Sequence, residues 1–282
     1  MSGHGSKKKG GTRESQDDSQ AFYLYCVGER DDLRPLVEGE LPDSIERPAR
    51  LEMIVAGDLA AIASGVSLAD YGEDALQVRL NDPAWTALRA MRHEKVIEHF
   101  AARASVIPLR FGTIYLRRER IEKMLDERQD ELRVIIKRLR GREEWGVNVY
   151  FTRVKLIEAI SSLSPRLREL GERATSAPPG QSYLMRKKIE AMRADEARVE
   201  TRRVIDEIER ELLRASEGAA RLRVLKDEAS EYGEVAAKLA FLVERARFEE
   251  FRAMAETLAG QHAAAGFRLE MTGPWPAYNF AA

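Results

Sequence analysis

Two kinds of hydrophobic period alternate along this chain, and they do so in the same order twice. A period of two marks a strand and a period near 3.6 marks an amphipathic helix, so the order of periods restricts the architecture more than any composition value. Phe22–Val27 is apolar on both alternating sets, as in a strand covered on both faces. Leu51–Ala56 and Leu59–Ala63 flank Gly57-Asp58 and read as a hairpin. Asn81-Asp82-Pro83 combines a capping side chain with a proline for the first turn, so a helix is expected from there to about Ala104. Trp85, Leu88, Val96 and Phe100 share its inner arc, with Arg92 and His99 beside them. Ser105–Thr113 follows as a strand with Ile107, Leu109 and Phe111 on one face and Arg110 on the other; Pro108 favours an edge or a bulge.

The second half repeats the order. Trp145, Val147, Val149 and Phe151 alternate on a strand, and a helix from about Lys155 to Leu170 is kinked or broken by Pro165. A connector, Ala177–Ser182, leads to a long charged helix, Tyr183–Glu217, with Ile189, Met192, Val199, Ile205, Ile208 and Leu212 as its core positions. Arg221–Leu225 and Ala237–Val243 are strands, Glu244–His262 is a helix, and Phe267–Met271 closes the set. Strand, helix, two strands, helix, strand is the βαββαβ order. The expected fold is therefore α+β, two tandem ferredoxin-like (βαββαβ-type) domains joined and flanked by long amphipathic helices. In the first domain the initial crossover shrinks, because Asp31–Pro48 carries three prolines and reads as loop or short helix; Asp70–Asp74 is a polar break.

This divides the chain into a polar tail over 1–20 with its one basic cluster at Lys7-Lys8-Lys9, an α+β domain over 21–116, a linking amphipathic helix within 117–143, and a second domain over 144–282 carrying the long helix 183–217 and an aromatic tail. The tail has no apolar periodicity to offset its ordering entropy and is expected to be disordered.

Charge narrows the function classes. Lys plus Arg number 46 against 47 for Asp plus Glu, a formal charge of -1, so no global basic field attracts nucleic acid or anionic lipid. The RNA-recognition strand signature is missing beside Phe22, Tyr23 and Tyr25. The single Cys26 cannot form an internal disulfide, and no apolar run reaches membrane-spanning length, so a cytoplasmic protein is expected. His93 and His99 are six residues apart and turn about 120° from one another on a helix, the wrong spacing for one metal. Without a phosphate loop, nucleophile elbow or ligand cluster, no enzyme, cofactor or metal is expected.

The aromatic tail, Met271–Phe280, is the most constrained short segment. Pro274 and Pro276 exclude a helix and a central strand, leaving Trp275, Tyr278 and Phe280 on a stiff extended or turned backbone. Such rings either lock onto the closing strand's own domain, which supplies a surface next to them, or anchor a partner. Arg110 likewise is either a carboxylate clamp inside the protein or a charged anchor for a partner. Together with Phe111 and Trp145, these residues form the candidate contact set.

Several of these segments occur in one order in a known family. Phe22-Tyr-Leu-Tyr25, His93-Glu94, Val106-Ile-Pro-Leu-Arg-Phe-Gly-Thr113, Glu144-Trp-Gly-Val147, Gly180 with Tyr183-Leu184, and Thr272-Gly-Pro-Trp-Pro-Ala-Tyr-Asn-Phe280 resemble the gas vesicle protein F and L family over about Ala21 to Phe280. Ala277 departs from it, standing where many family members carry a second proline. The resemblance implies a non-enzymatic accessory or minor structural protein of gas vesicle assembly. It implies contacts with the apolar shell-forming protein and other accessory proteins, to nucleate, chaperone or cap the growing shell. The alternative is an interaction scaffold of the same fold serving another assembly.

Overall fold

The computed structural model describes residues 19–225 and 229–281. The expected disordered tail, with Lys7-Lys8-Lys9, lies outside them except for Ser19 and Gln20, and Gln20 already opens a strand. The architecture is mixed, with two antiparallel sheets and helices against them. By its contacts the chain forms two units: one from the chain up to His99 with Leu109–Arg128, the other from Phe100–Pro108 with the chain from Gln129 onward.

In the first unit β1 (Gln20–Glu29) is central, and Tyr23, Leu24, Tyr25, Cys26 and Val27 are all buried. That is what its two apolar sets require, and burial raises the Cys26 thiol pKa well above its usual value. Helix α1 (Arg30–Val37) follows directly, and the segment to β2 (Leu51–Ala56) is otherwise irregular. The hairpin of β2 with β3 (Leu59–Ser67) turns at Gly57-Asp58, where Gly57 has φ +58°, a value that favours glycine. β3 pairs antiparallel with β1 across a register shift between Leu24 and Cys26.

Where a polar break is expected, the chain forms two short helices, α2 (Leu68–Tyr71) and α3 (Glu73–Leu80). Ser67 supplies the missing start signal, its side chain accepting the Ala69 N–H. Helix α4 (Pro83–Ala101) begins as expected, with Asp82 Oδ1 accepting from the Ala84 and Trp85 amides at 3.0 and 3.2 Å. Its inner face is rotated from the expected one: Trp85, Val96 and Phe100 are buried, but Leu88 is exposed and His93 is inside. A polar ring at the centre of the stripe shifts the apparent apolar arc, because hydropathy counts it as surface.

The strand expected to reach Thr113 stops early. β4 (Val106–Pro108) ends at its proline, and Arg110–Thr113 is a turn in which the Arg110 carbonyl accepts from Thr113 N and Oγ1. Gly112 sits at φ +83° and donates its N–H to Tyr23 Oη at 3.0 Å, a long-range bond that draws the chain out of the strand. The two-residue β5 (Ile114–Tyr115) then pairs with β1. The single helix expected over 117–140 is two, α5 (Arg118–Glu127) and α6 (Gln129–Leu139). Ile121 and Leu125 serve the first unit, where α5 packs on β2 and β3, while Leu132, Ile135, Ile136 and Leu139 are buried in the second.

The second unit starts with β6 (Arg142–Phe151), whose Val147 and Val149 are fully buried. α7 (Arg153–Leu163) and α8 (Pro165–Ser176) break at Ser164, which caps α8 through the Leu167 N–H while Pro165 takes the first turn. The expected connector shrinks to Ala177 and Pro178, because Pro179 is tolerated in the first turn of the 35-residue α9 (Pro179–Leu213). Ile205, Ile208 and Leu212 are buried as expected; Val199 is exposed, and Val204 takes its place inside. β7 (Gly218–Leu222) starts three residues earlier than expected; β8 (Ala229–Ser230), β9 (Gly233–Glu244), α10 (Phe248–Ala263) and β10 (Phe267–Trp275) complete the unit. The sheet order is β10-β6-β9-β7, with β8 on β9. Val147, Leu239 and Phe241 from the sheet meet Ile160, Ile208 and Phe251 from the helices in one core.

Candidate partner-contact surface

Pro274 lacks an N–H, so β10 can carry it only at the edge of the sheet, where the structure has it. β10 pairs with β6 from Phe267↔Phe151 to Thr272↔Gly146, then slips register and rejoins at Trp275↔Glu144. Gly273 and Pro274 bulge out between, joined by a cis peptide bond. Gly273 has φ +123°, and a Cβ there would stand 3.1 Å from the Glu144 carbonyl oxygen and 3.2 Å from the Trp145 ring, so both backbone angle and space call for glycine.

The bulge turns Trp275 outward. Its side chain is held, with Nε1 donating to Thr272 Oγ1 at 3.1 Å, yet the residue is 45% exposed. Gly146 makes room beneath, since a Cβ there would come within 2.5 Å of Thr272 Oγ1. Beyond Trp275 the chain folds back. Pro276 is buried, a one-turn 3-10 segment spans Tyr278–Phe280, and Phe280 is 3% exposed against Gly218. The Arg138 guanidinium lies 5.9 Å from the Phe280 ring centre.

A buried carboxylate secures this return. Glu144 is 4% exposed; its Oε2 accepts the Asn279 N–H at 2.9 Å and its Oε1 accepts from Nδ2 at 2.6 Å. Burial raises the Glu144 pKa, opposed by the two Asn279 bonds, which favour the carboxylate. The sequence contained both residues only as neighbours of aromatic motifs; nothing local pairs positions 135 apart. Trp145 points the other way and stacks on Phe248 at 4.3 Å and 23°.

Thus four of the six candidate residues, Trp145, Trp275, Tyr278 and Phe280, gather at one end of the second unit's sheet, and they differ in kind. Phe280 is internal, Tyr278 and Trp145 are half-buried, and Trp275 presents its ring to solvent. Arg110 and Phe111 belong to the first unit. Arg110 is exposed, and among the described residues no carboxylate pairs with it, so the internal clamp expected as one alternative is absent. Phe111 meets His93 and Tyr23 edge-on, at 5.7 and 6.2 Å.

That cluster accounts for His93. Tyr23 Oη accepts from Gly112 N, which leaves its hydroxyl proton for His93 Nδ1 at 3.0 Å, and the ring also bonds the Leu109 backbone. Burial pushes the His93 pKa down to about 4. Both ring nitrogens have partners inside the fold, the arrangement of a structural histidine. Among the described residues no three His, Cys, Asp or Glu side chains converge on a common point, and no helix is long and apolar enough to cross a membrane.

Comparison with known proteins bears on the whole described chain. The family model described as gas vesicle synthesis protein GvpL/GvpF matches residues 21–282. Gas vesicle protein L of Streptomyces sp. (strain CB03234) is 29% identical over 267 residues, covering 92% of this chain and 92% of its own. Gas vesicle protein F of the same strain is 29% identical over 234 residues, covering 83% and 88%. The crystal structure of the gas vesicle protein GvpF from Anabaena sp. PCC7120 superposes with a TM-score of 0.62 at 16% identity, over 94% of this chain and 97% of that one, a likeness of fold. The match runs from the central strand of the first unit through the returning tail of the second, and this chain belongs to the gas vesicle synthesis protein GvpL/GvpF family.

Proposed function

We propose that this protein is a non-enzymatic accessory component of gas vesicle assembly that binds the apolar shell-forming protein through the surface around Trp275. Membership of the family implies a role in gas vesicle assembly; in this role the protein meets the shell protein and other accessory proteins in the cytoplasm. One observation carries it: a 45% exposed tryptophan held by strand pairing and by a side-chain hydrogen bond. Tryptophan is the residue most enriched at interface hot spots, and a ring already fixed in place loses little freedom on binding. A subunit that presents apolar surface aggregates when free in water, so a protein that covers this surface before insertion keeps it available for assembly. With the two-residue β8 set aside, the second unit's strand order β10-β6-β9-β7 is fourth, first, third, second, which supports a ferredoxin-like reading of that unit.

The test is co-purification with the shell protein. Trp275→Ala should leave the fold intact and weaken shell-protein binding roughly thirtyfold, the loss of a hot spot of about 2 kcal/mol. Unchanged binding by this variant would refute the surface assignment, and normal vesicle formation after deletion of the whole protein would refute the assembly role.

A further inference from the structure

We propose a second docking site, independent of Trp275: the groove between α8 and the first half of α9, which takes an acidic amphipathic helix from a partner protein. The second half of α9 is committed to the core through Val204, Ile208 and Leu212, whereas Ile189 and Met192 of the first half pack against that core and stay only partly buried. Between it and α8 lies an open groove of about 470 Å³. Leu167 and Ile189 form its apolar floor, and Arg168 and Arg186 stand on its rims.

Three observations say that the groove is unfinished. From Pro165 to Arg193 the chain carries seven Lys or Arg against three Glu, although its overall formal charge is -1. Arg166 pairs with Glu196 and Arg193 with Glu190, whereas Arg168 and Arg186 have no carboxylate partner among the described residues. Secondly, Ser161 Oγ and Arg193 Nε, both on the lining, are buried without a hydrogen-bond partner among the described residues. Thirdly, Gly171 lies inside α8, where glycine costs about 1 kcal/mol relative to alanine, yet a Cβ there would meet nothing within 4 Å. Packing within this chain does not ask for that glycine. The open space above it, on the groove lining, admits a close-lying neighbour.

Charge and shape identify the occupant. Carboxylates beside an apolar stripe would pair with Arg168 and Arg186 while apolar side chains covered Leu167 and Ile189. The walls are helices whose backbone groups are already bonded within themselves, so an extended segment would find no strand edge here, while a helix brings its own backbone satisfied. Tyr183 is exposed one turn before Arg186 on the same face and lengthens the contact. Nucleic acid fits less well, because the floor is apolar and Glu190 sits on the lining.

The experiment measures binding of the full chain to a labelled synthetic helix with a leucine stripe flanked by glutamates. A copy with lysines for the glutamates and a polyuridine RNA serve as competitors, at low and high salt. The acidic helix should bind and weaken with salt, and Arg168→Glu with Arg186→Glu should reduce affinity at least about tenfold. Gly171→Phe should block the groove to a similar extent without lowering the melting temperature. Failure of the acidic helix to bind, equal binding of the lysine peptide, competition by RNA, undiminished affinity in these variants, or salt-sensitive self-association that fills the groove with a second copy would each overturn the proposal.

Discussion

Acidification should destabilise the first unit through one residue. His93 lies among Tyr23, Tyr25 and Phe111, and burial lowers its pKa from 6.5 to about 4. The native state keeps the ring neutral over this interval while the unfolded chain protonates it, so the unfolded state binds more protons. Stability is therefore full above pH 6.5, falls as the pH drops towards 4, and loses nothing further from this group below that. At about 1.4 kcal/mol per unit, the interval corresponds to roughly 3 kcal/mol, a large share of a small unit's margin. Two measurements check it. In a nuclear magnetic resonance titration of the four histidines, assigned with His93→Gln, the His93 ring should stay neutral through pH 5. In a background with Trp145→Phe and Trp275→Phe, Trp85 alone reports unfolding of the first unit by urea, and its midpoint should fall between pH 6.5 and 4.5. A His93 titration near 6.5, or the same pH slope in His93→Gln, would refute the reasoning.

The second unit gives three further expectations. Phe280→Ala empties the site against Gly218 and should lower stability by about 3 kcal/mol in urea titrations, whereas Trp275→Ala, half in solvent, should cost about 1 kcal/mol or less. Glu144→Gln replaces one acceptor oxygen by an amide NH2 group facing an Asn279 donor; amide exchange at Asn279 should quicken by about tenfold or more, a loss on the order of 1–2 kcal/mol. Gly146→Ala puts a methyl group against Thr272 Oγ1, so the indole should lose its fixed position and shell-protein binding should fall with the fold retained.

Much of the element order was legible because its determinants are local. The two-sided burial of Tyr23–Val27 appears in its unbroken apolar run, the hairpin in Gly57-Asp58, the start of α4 in Asp82-Pro83 and the break before α8 in Pro165. The order of motifs pointed to the family in the same way, since it needs only positions along the chain.

Other features failed to show because their partners are distant. β4 stops at Pro108, short of Thr113, because Gly112 turns away to reach Tyr23, 89 residues earlier. The helix over 117–140 divides although no glycine or proline marks Arg128, because its two apolar stripes belong to different units. His93 reads as surface by hydropathy, and only the hydrogen bonds waiting inside make its burial affordable. The candidate residues divide on the same ground. Proline chemistry alone barred Pro274 from a helix or a central strand and left three rings to be accommodated. Which ring became the lock and which stayed in solvent was settled by the bulge at Gly273 and by the Glu144 carboxylate that ties down Asn279. Backbone preference and hydrophobic period act within a turn or a strand and can be read along the chain; side-chain burial depends on which surface arrives from elsewhere, and that exists only once the chain has folded.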